Sequence, residues 1–132
     1  MTTNYRDTFI TVAADCPAAQ GETPSKPASI AGLHYALLRA QPYGLTSDDL
    51  LFEVHARRNG IGEPDRARAR EAYFAKPQAC LRASPLVKRH GFGLHHDGEG
   101  RVAAYGVETA EYRRLASDAS LKTVPGMRSR RA

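Results

Sequence analysis

Phe92-Gly-Leu-His-His-Asp-Gly-Glu-Gly-Arg-Val-Ala-Ala-Tyr105 decides the fold. Two strand-forming runs flank Asp97-Gly-Glu-Gly, whose residues favour turns, so the segment predicts a β-hairpin with a four-residue turn. Pairing His96 with Arg101 places Leu94 opposite Ala103 and Phe92 opposite Tyr105 on one face. An isolated hairpin is marginal in water and needs another strand and an apolar cover. Tyr5 to Ala13, rich in β-branched and aromatic residues, supplies an N-terminal strand, and Leu121 to Val124 reads as a closing one.

The cover comes from the segments between. Ile30, Leu33, His34, Leu37 and Leu38 recur at i, i+3, i+4, i+7 and i+8, which predicts a helix over Ser29 to Gln41, ended by Pro42. Thr46-Ser-Asp-Asp49 caps a second helix, and Arg57-Arg-Asn-Gly60 closes it with cations and a left-handed stop. Its inner face is Leu50, Leu51, Val54 and His55. Pro64 opens a third helix to about Ala75, Ser84-Pro85 caps a short one that leaves at His90-Gly91, and Glu108 to Ala116 forms the last. Cys16 to Pro27, with three prolines and no periodicity, is a long surface loop.

These elements predict a single α+β domain over residues 1–132. Its small antiparallel sheet is the N-terminal strand plus the 92–106 hairpin, packed with three or four helices. Helices followed by a hairpin also fit a winged helix, the alternative architecture. A chain of 132 residues, 42% hydrophobic, buries roughly two-thirds of its unfolded surface, so it needs no metal or disulfide staple. Collagen-like and wholly disordered classes are excluded, and no apolar run reaches the roughly 20 residues that span a bilayer. Two cysteines, Cys16 and Cys80, make no disulfide framework. A cytoplasmic protein with no membrane partner is expected.

Charge is segregated. Residues 1–76 carry nine Lys+Arg and nine Asp+Glu, whereas 77–132 carry ten and five, which accounts for the whole net charge of +5. A one-sided excess favours anionic partners, with nucleic acid the first among them. Arg82, Lys88, Arg89 and Arg101 flank Phe92, His95, His96 and Tyr105 in sequence, and cations interleaved with rings suit phosphates and stacked bases. The anion-binding set is therefore Arg82, Lys88, Arg89, Arg101, His96 and Phe92, with residues 126–132 a basic tail that adds phosphate contacts.

A competing class is a small enzyme centred on Cys80. Pro85 disfavours helical geometry at Ser84, and an extended stretch points Cys80, Arg82 and Ser84 one way, toward a histidine base from His90, His95 or His96 beneath the Cys16 to Pro27 loop. In this reading Cys80 and Arg82 are the catalytic candidates. A protein-interaction module is the third class. No metal or cofactor is expected, because Cys80, His90, His95 and His96 match no ligand spacing and adjacent strand residues face opposite ways. Asp48-Asp49 is first-turn capping. His34 and His55 lie on apolar helix faces as core histidines; if those faces meet, they form a buried pair titrating near neutrality.

The start Thr2-Thr-Asn-Tyr5 with Asp7-Thr-Phe-Ile10, then Pro42-Tyr-Gly-Leu-Thr-Ser-Asp-Asp49, Cys80-Leu-Arg-Ala-Ser-Pro-Leu86, Lys88-Arg-His-Gly-Phe-Gly93 and Met127-Arg-Ser-Arg130 together resemble a family of small bacterial proteins classed as a domain of unknown function, the 6157 group. The resemblance covers nearly the whole chain. It implies a single cytoplasmic domain and brings no activity, cofactor or catalytic residue. Its members often carry Tyr at the place of His90 and Trp at that of Phe92, which implies an aromatic role at 92 and speaks against catalysis or metal binding by His90.

Overall fold

A computed structural model describes residues 1–130. Four strands, β1 (Thr8–Thr11), β2 (Phe92–His96), β3 (Val102–Gly106) and β4 (Lys122–Pro125), form one sheet in the order β3-β2-β1-β4. β1, β2 and β3 pair antiparallel as expected, but β4 lies parallel to β1, so the sheet is mixed rather than purely antiparallel.

The hairpin register is one residue from the expected pairing: His96 faces Val102, Leu94 faces Ala104 and Phe92 faces Gly106. Gly100 causes the shift. It adopts φ +80° and donates to the Asp97 carbonyl at 3.0 Å, while the Asp97 amide bonds the Arg101 carbonyl at 2.9 Å. A left-handed residue after a tight turn inserts an extra position into one strand. The Asp97 carboxylate accepts the Glu99 and Arg101 amides and holds this turn.

Strand alternation divides the sheet into two faces. Ile10, Leu94 and Val102 point to a large core beneath α1 (Ile30–Ala40), α2 (Ser47–Arg58) and α4 (Pro85–Lys88), with Leu37, Leu50, Leu81 and Leu86. Phe9 points the other way, to Tyr112 and Leu115 of α5 (Ala110–Ala116). The Phe9 and Tyr112 rings meet edge to face at 5.0 Å over Gly93. A Cβ at Gly93 would lie 2.5 Å from one ring and 2.6 Å from the other, so only glycine admits this contact. The sheet is thus the middle of three layers. The winged-helix alternative fails because β2 is an interior strand covered on both faces, not a projecting wing.

Local signals set the helices. Ser29 caps α1 by accepting the Gly32 amide, and Thr46 and Asp49 form a reciprocal capping box on α2. Asp48 ties down the N-terminal segment by accepting the Thr3 amide at 2.7 Å and both threonine hydroxyls. A 3-10 turn over Glu63–Asp65 holds Pro64, so α3 (Arg66–Phe74) starts beyond it. α3 packs on α2 through Arg70–Asp49 at 2.9 Å, Arg66–Glu53 at 2.7 Å and the Tyr73 and Phe52 rings. This second neighbour buries Phe52, outside the inner face expected for α2.

The loop of residues 16–27 has no regular structure, but the Gly21 amide bonds the Glu108 carboxylate and the Glu22 amide bonds the His90 carbonyl. The tail is also anchored: the Met127 amide reaches the Arg82 carbonyl, and Asp15 accepts the Ser129 and Arg130 amides. Arg131, part of the expected basic tail, lies outside the described residues. Among the described residues no helix is long and apolar enough to cross a membrane.

Candidate functional site

Where α1 meets α2, the chain returns from α3 through a 3-10 turn over Leu81–Ala83. These elements line an open cavity of about 300 Å³. Leu51, Val54 and Leu81 make it apolar, while Cys80, His34, Ser84, His55, Tyr73 and Arg58 bring polar chemistry to it. A concave, mostly apolar space with a few convergent polar groups is the form that small-molecule sites take.

The deepest pair is His34 and Ser84. Ser84 Oγ caps α4 by accepting the Leu86 amide at 3.2 Å, and it lies 2.8 Å from His34 Nδ1. Both residues are buried, and the imidazole is the partner within reach of the hydroxyl hydrogen. Which of the two atoms donates across this contact follows the ring's tautomer, and the other ring nitrogen is Nε2. That Nε2 has no hydrogen-bond partner. Burial pushes the His34 pKa down to about 4, so the ring is neutral at pH 7; its Nε2 is shielded from solvent, although the residue lines the cavity.

The rim is more exposed. His55 stacks on Tyr73 with ring centres 4.5 Å apart, and its Nδ1 lies 3.3 Å from Asn59 Nδ2. Burial, followed by the charge of Asp48, raises the Tyr73 pKa. Arg58 is exposed and, among the described residues, forms no ion pair, unlike Arg57, Arg66, Arg68, Arg70 and Arg101. Cys80 is half-buried, with Sγ 3.1 Å from the Tyr5 hydroxyl.

The expected enzyme site is thus rearranged. Cys80 lies in a cavity with histidines, but these are His34 and His55 rather than His90, His95 or His96, and the 16–27 loop is not its roof. The 3-10 turn breaks the extended stretch that would have aligned Arg82 with Cys80. Arg82 instead donates from Nε to the Pro125 carbonyl at 2.7 Å, securing β4. His34 and His55 line one cavity, and burial holds the His34 pKa at about 4, below the neutral range that a buried pair of the two would have had.

The expected anion-binding set is scattered. Phe92 lies against Tyr35 at 5.6 Å in a groove with Arg39, whereas Arg101 is at the opposite end of the hairpin, 3.7 Å from Glu99. Lys88 ends α4, and Arg89 lines a groove with Asp15, Ser129 and Arg130. His96 is fully buried with both ring nitrogens unpartnered and its ring edge-on to Tyr5, so it does not reach a ligand. On the α5 face, Tyr43 takes φ +57° and its hydroxyl bridges His95 Nδ1 at 2.7 Å and Tyr105 Oη at 2.8 Å. Among the described residues no three His, Cys, Asp or Glu side chains cluster to hold a metal ion.

Fold and site together define a small three-layer α+β domain with a thiol- and histidine-lined pocket between its helices. The family model described as "Family of unknown function (DUF6157)" matches residues 1–132, and the chain belongs to that family. No curated protein and no solved structure matches the chain.

Proposed function

We propose that the protein binds a small anionic molecule with a short apolar body in the cavity around His34, Cys80 and Arg58. One observation carries this reading: a mostly apolar cavity holds at its rim Arg58, which has no carboxylate partner among the described residues. The guanidinium would neutralise the charge of the ligand, and Leu51 and Val54 would cover its apolar part. Two free thiols suit a reducing compartment, in keeping with a cytoplasmic protein.

Titration with hexanoate, followed by amide and imidazole NMR signals, tests this. Binding is expected to move His34, His55 and Arg58 resonances, and Arg58→Gln is expected to weaken it by about tenfold or more, the loss of one charge-assisted bond. Hexanol should bind more weakly than hexanoate. Equal affinity for the two, or shifts confined to other surfaces, would overturn the reading.

A second reading, contact with nucleic-acid phosphates, is favoured by the folded-back tail, which brings Arg130 beside Arg89 around Asp15. Fluorescence anisotropy with single- and double-stranded DNA and RNA is then expected to show affinity that falls with salt, less steeply in a chain ending at Gly126. Salt-independent or absent binding would eliminate it.

A further inference from the structure

The sheet ends at β3, and one residue of that edge is open. Along an antiparallel strand successive residues bond alternately to one side and to the other. The Val107 amide bonds the Gly91 carbonyl beside β2, whereas Val102 turns outward: its amide bonds the Leu45 carbonyl and its carbonyl accepts the Tyr43 amide, both at 2.9 Å. Further along, the Gly106 carbonyl accepts the Thr109 amide at 3.0 Å. Ala104 stands between Val102 and Gly106 with the same outward parity, and among the described residues its amide and carbonyl have no backbone partner on that side. One N–H and one C=O therefore face outward, the pattern with which a further strand pairs.

That edge opens into a groove of about 350 Å³ between α1 and β3, separate from the cavity around His34. Tyr35, Phe92 and Tyr105 make it aromatic, and Arg39 brings a cation. Arg39 stands in the last turn of α1, is exposed and, among the described residues, forms no ion pair. It donates to the Tyr35 hydroxyl oxygen at 2.9 Å, and the Thr23 hydroxyl donates to the same oxygen at 3.1 Å. Two bonds accepted there leave the phenol hydrogen to donate, so a guanidinium and a hydroxyl stand together for one carboxylate. Because Tyr43 and Leu45 already occupy the edge at Val102, an added strand must stop there. A chain end meets that limit. We propose that β3 binds the C-terminal end of a partner protein as an added strand, its penultimate residue paired with Ala104 and its free carboxylate on Arg39 and Tyr35.

The peptide acetyl-Gly-Ser-Val-Ala-Val, its C-terminus free, tests this by NMR titration of the full chain. The Ala104 amide and Arg39 side-chain signals are expected to move, and hydrogen exchange of the Ala104 amide to slow by about tenfold or more. Amidating the C-terminus of the peptide should weaken binding by about tenfold, the loss of a charge-assisted bond, and N-methylating its alanine by about fivefold. Arg39→Gln should abolish the difference between the free and the amidated peptide. Ala104→Pro removes the outward donor and should weaken the free peptide by about fivefold while keeping the fold, since an edge strand tolerates proline where its N–H faces out. The modified peptides leave the protein untouched, so they decide the matter even where Ala104→Pro disturbs the edge. Equal affinity of the free, amidated and N-methylated peptides, or no shift at Ala104 with millimolar peptide, would overturn the proposal. So would Ala104 signals that change with protein concentration in the absence of peptide, which would give the edge to a second copy of the chain.

Discussion

Acidification from pH 7 to pH 4.5 is expected to remove about 5 kcal/mol of folding stability through two buried histidines. His34 and His96 both have folded pKa values pushed down to about 4, below the ordinary 6.5, and burial is the main cause in each; the neighbouring His95 adds to it at His96. The unfolded chain therefore binds protons first as pH falls. Stability is fully present above about pH 6.5, declines as pH falls toward 4, and loses nothing further from these groups below that. Each histidine contributes a slope of up to about 1.4 kcal/mol per pH unit within that window. Asp49 and Glu53, whose pKa values are held down by hydrogen bonds and by Arg70 or Arg66, lose their contributions at lower pH, so the windows separate. Small domains have roughly 5–15 kcal/mol to lose, so the effect is large. Urea unfolding at pH 7, 5.5 and 4.5 measures it. His96→Phe keeps a ring against Tyr5 and should remove one histidine's share of the slope; equal slopes in the two proteins would contradict the assignment.

Ser84→Ala is the second large effect, at about 2–4 kcal/mol of destabilisation. The substitution removes the cap of α4 and leaves His34 Nδ1 buried beside a methyl group, so a lost cap adds to a newly unsatisfied polar atom. The same change in a His34→Leu background removes only the cap. The double-mutant cycle should therefore show coupling of about 1–3 kcal/mol between two residues 50 positions apart. Additive losses would show that the Ser84–His34 bond contributes little.

The pattern of what was legible follows from range. Ser29, Thr46 with Asp49, and Ser84-Pro85 all cap helices as their sequence predicts, because capping is settled within four residues. The hairpin was visible too, but its register was not: whether Gly100 becomes a left-handed bulge depends on the turn closing around Asp97 and on Leu94 reaching the core with Ile10. The parallel β4 depends on where α5 delivers the chain, which no local signal near Lys122 encodes.

The site was half legible for the same reason. Cys80 and Ser84 stood out, yet their partners His34, His55 and Arg58 come from helices 22 or more residues away, and only tertiary packing joins them. A signal was present in two successive helices that each place a histidine on an apolar face, and both residues line the cavity. Arg82 misled because an extended stretch would point it the same way as Cys80, whereas one 3-10 turn sends its side chain to the Pro125 carbonyl. The segregation of basic residues along the chain likewise did not translate into one patch, since Phe92 and Arg101 stand at opposite ends of the hairpin.

Central to the proposed function is a small anion seated in the cavity lined by His34, His55 and Arg58. A long-range proton–nitrogen NMR spectrum of the imidazoles at pH 7, recorded with and without saturating hexanoate, reads it directly. The predicted result is that the His55 ring signals, on the cavity rim, move on ligand addition while His34 stays neutral. His55 signals that hexanoate leaves unchanged would contradict it.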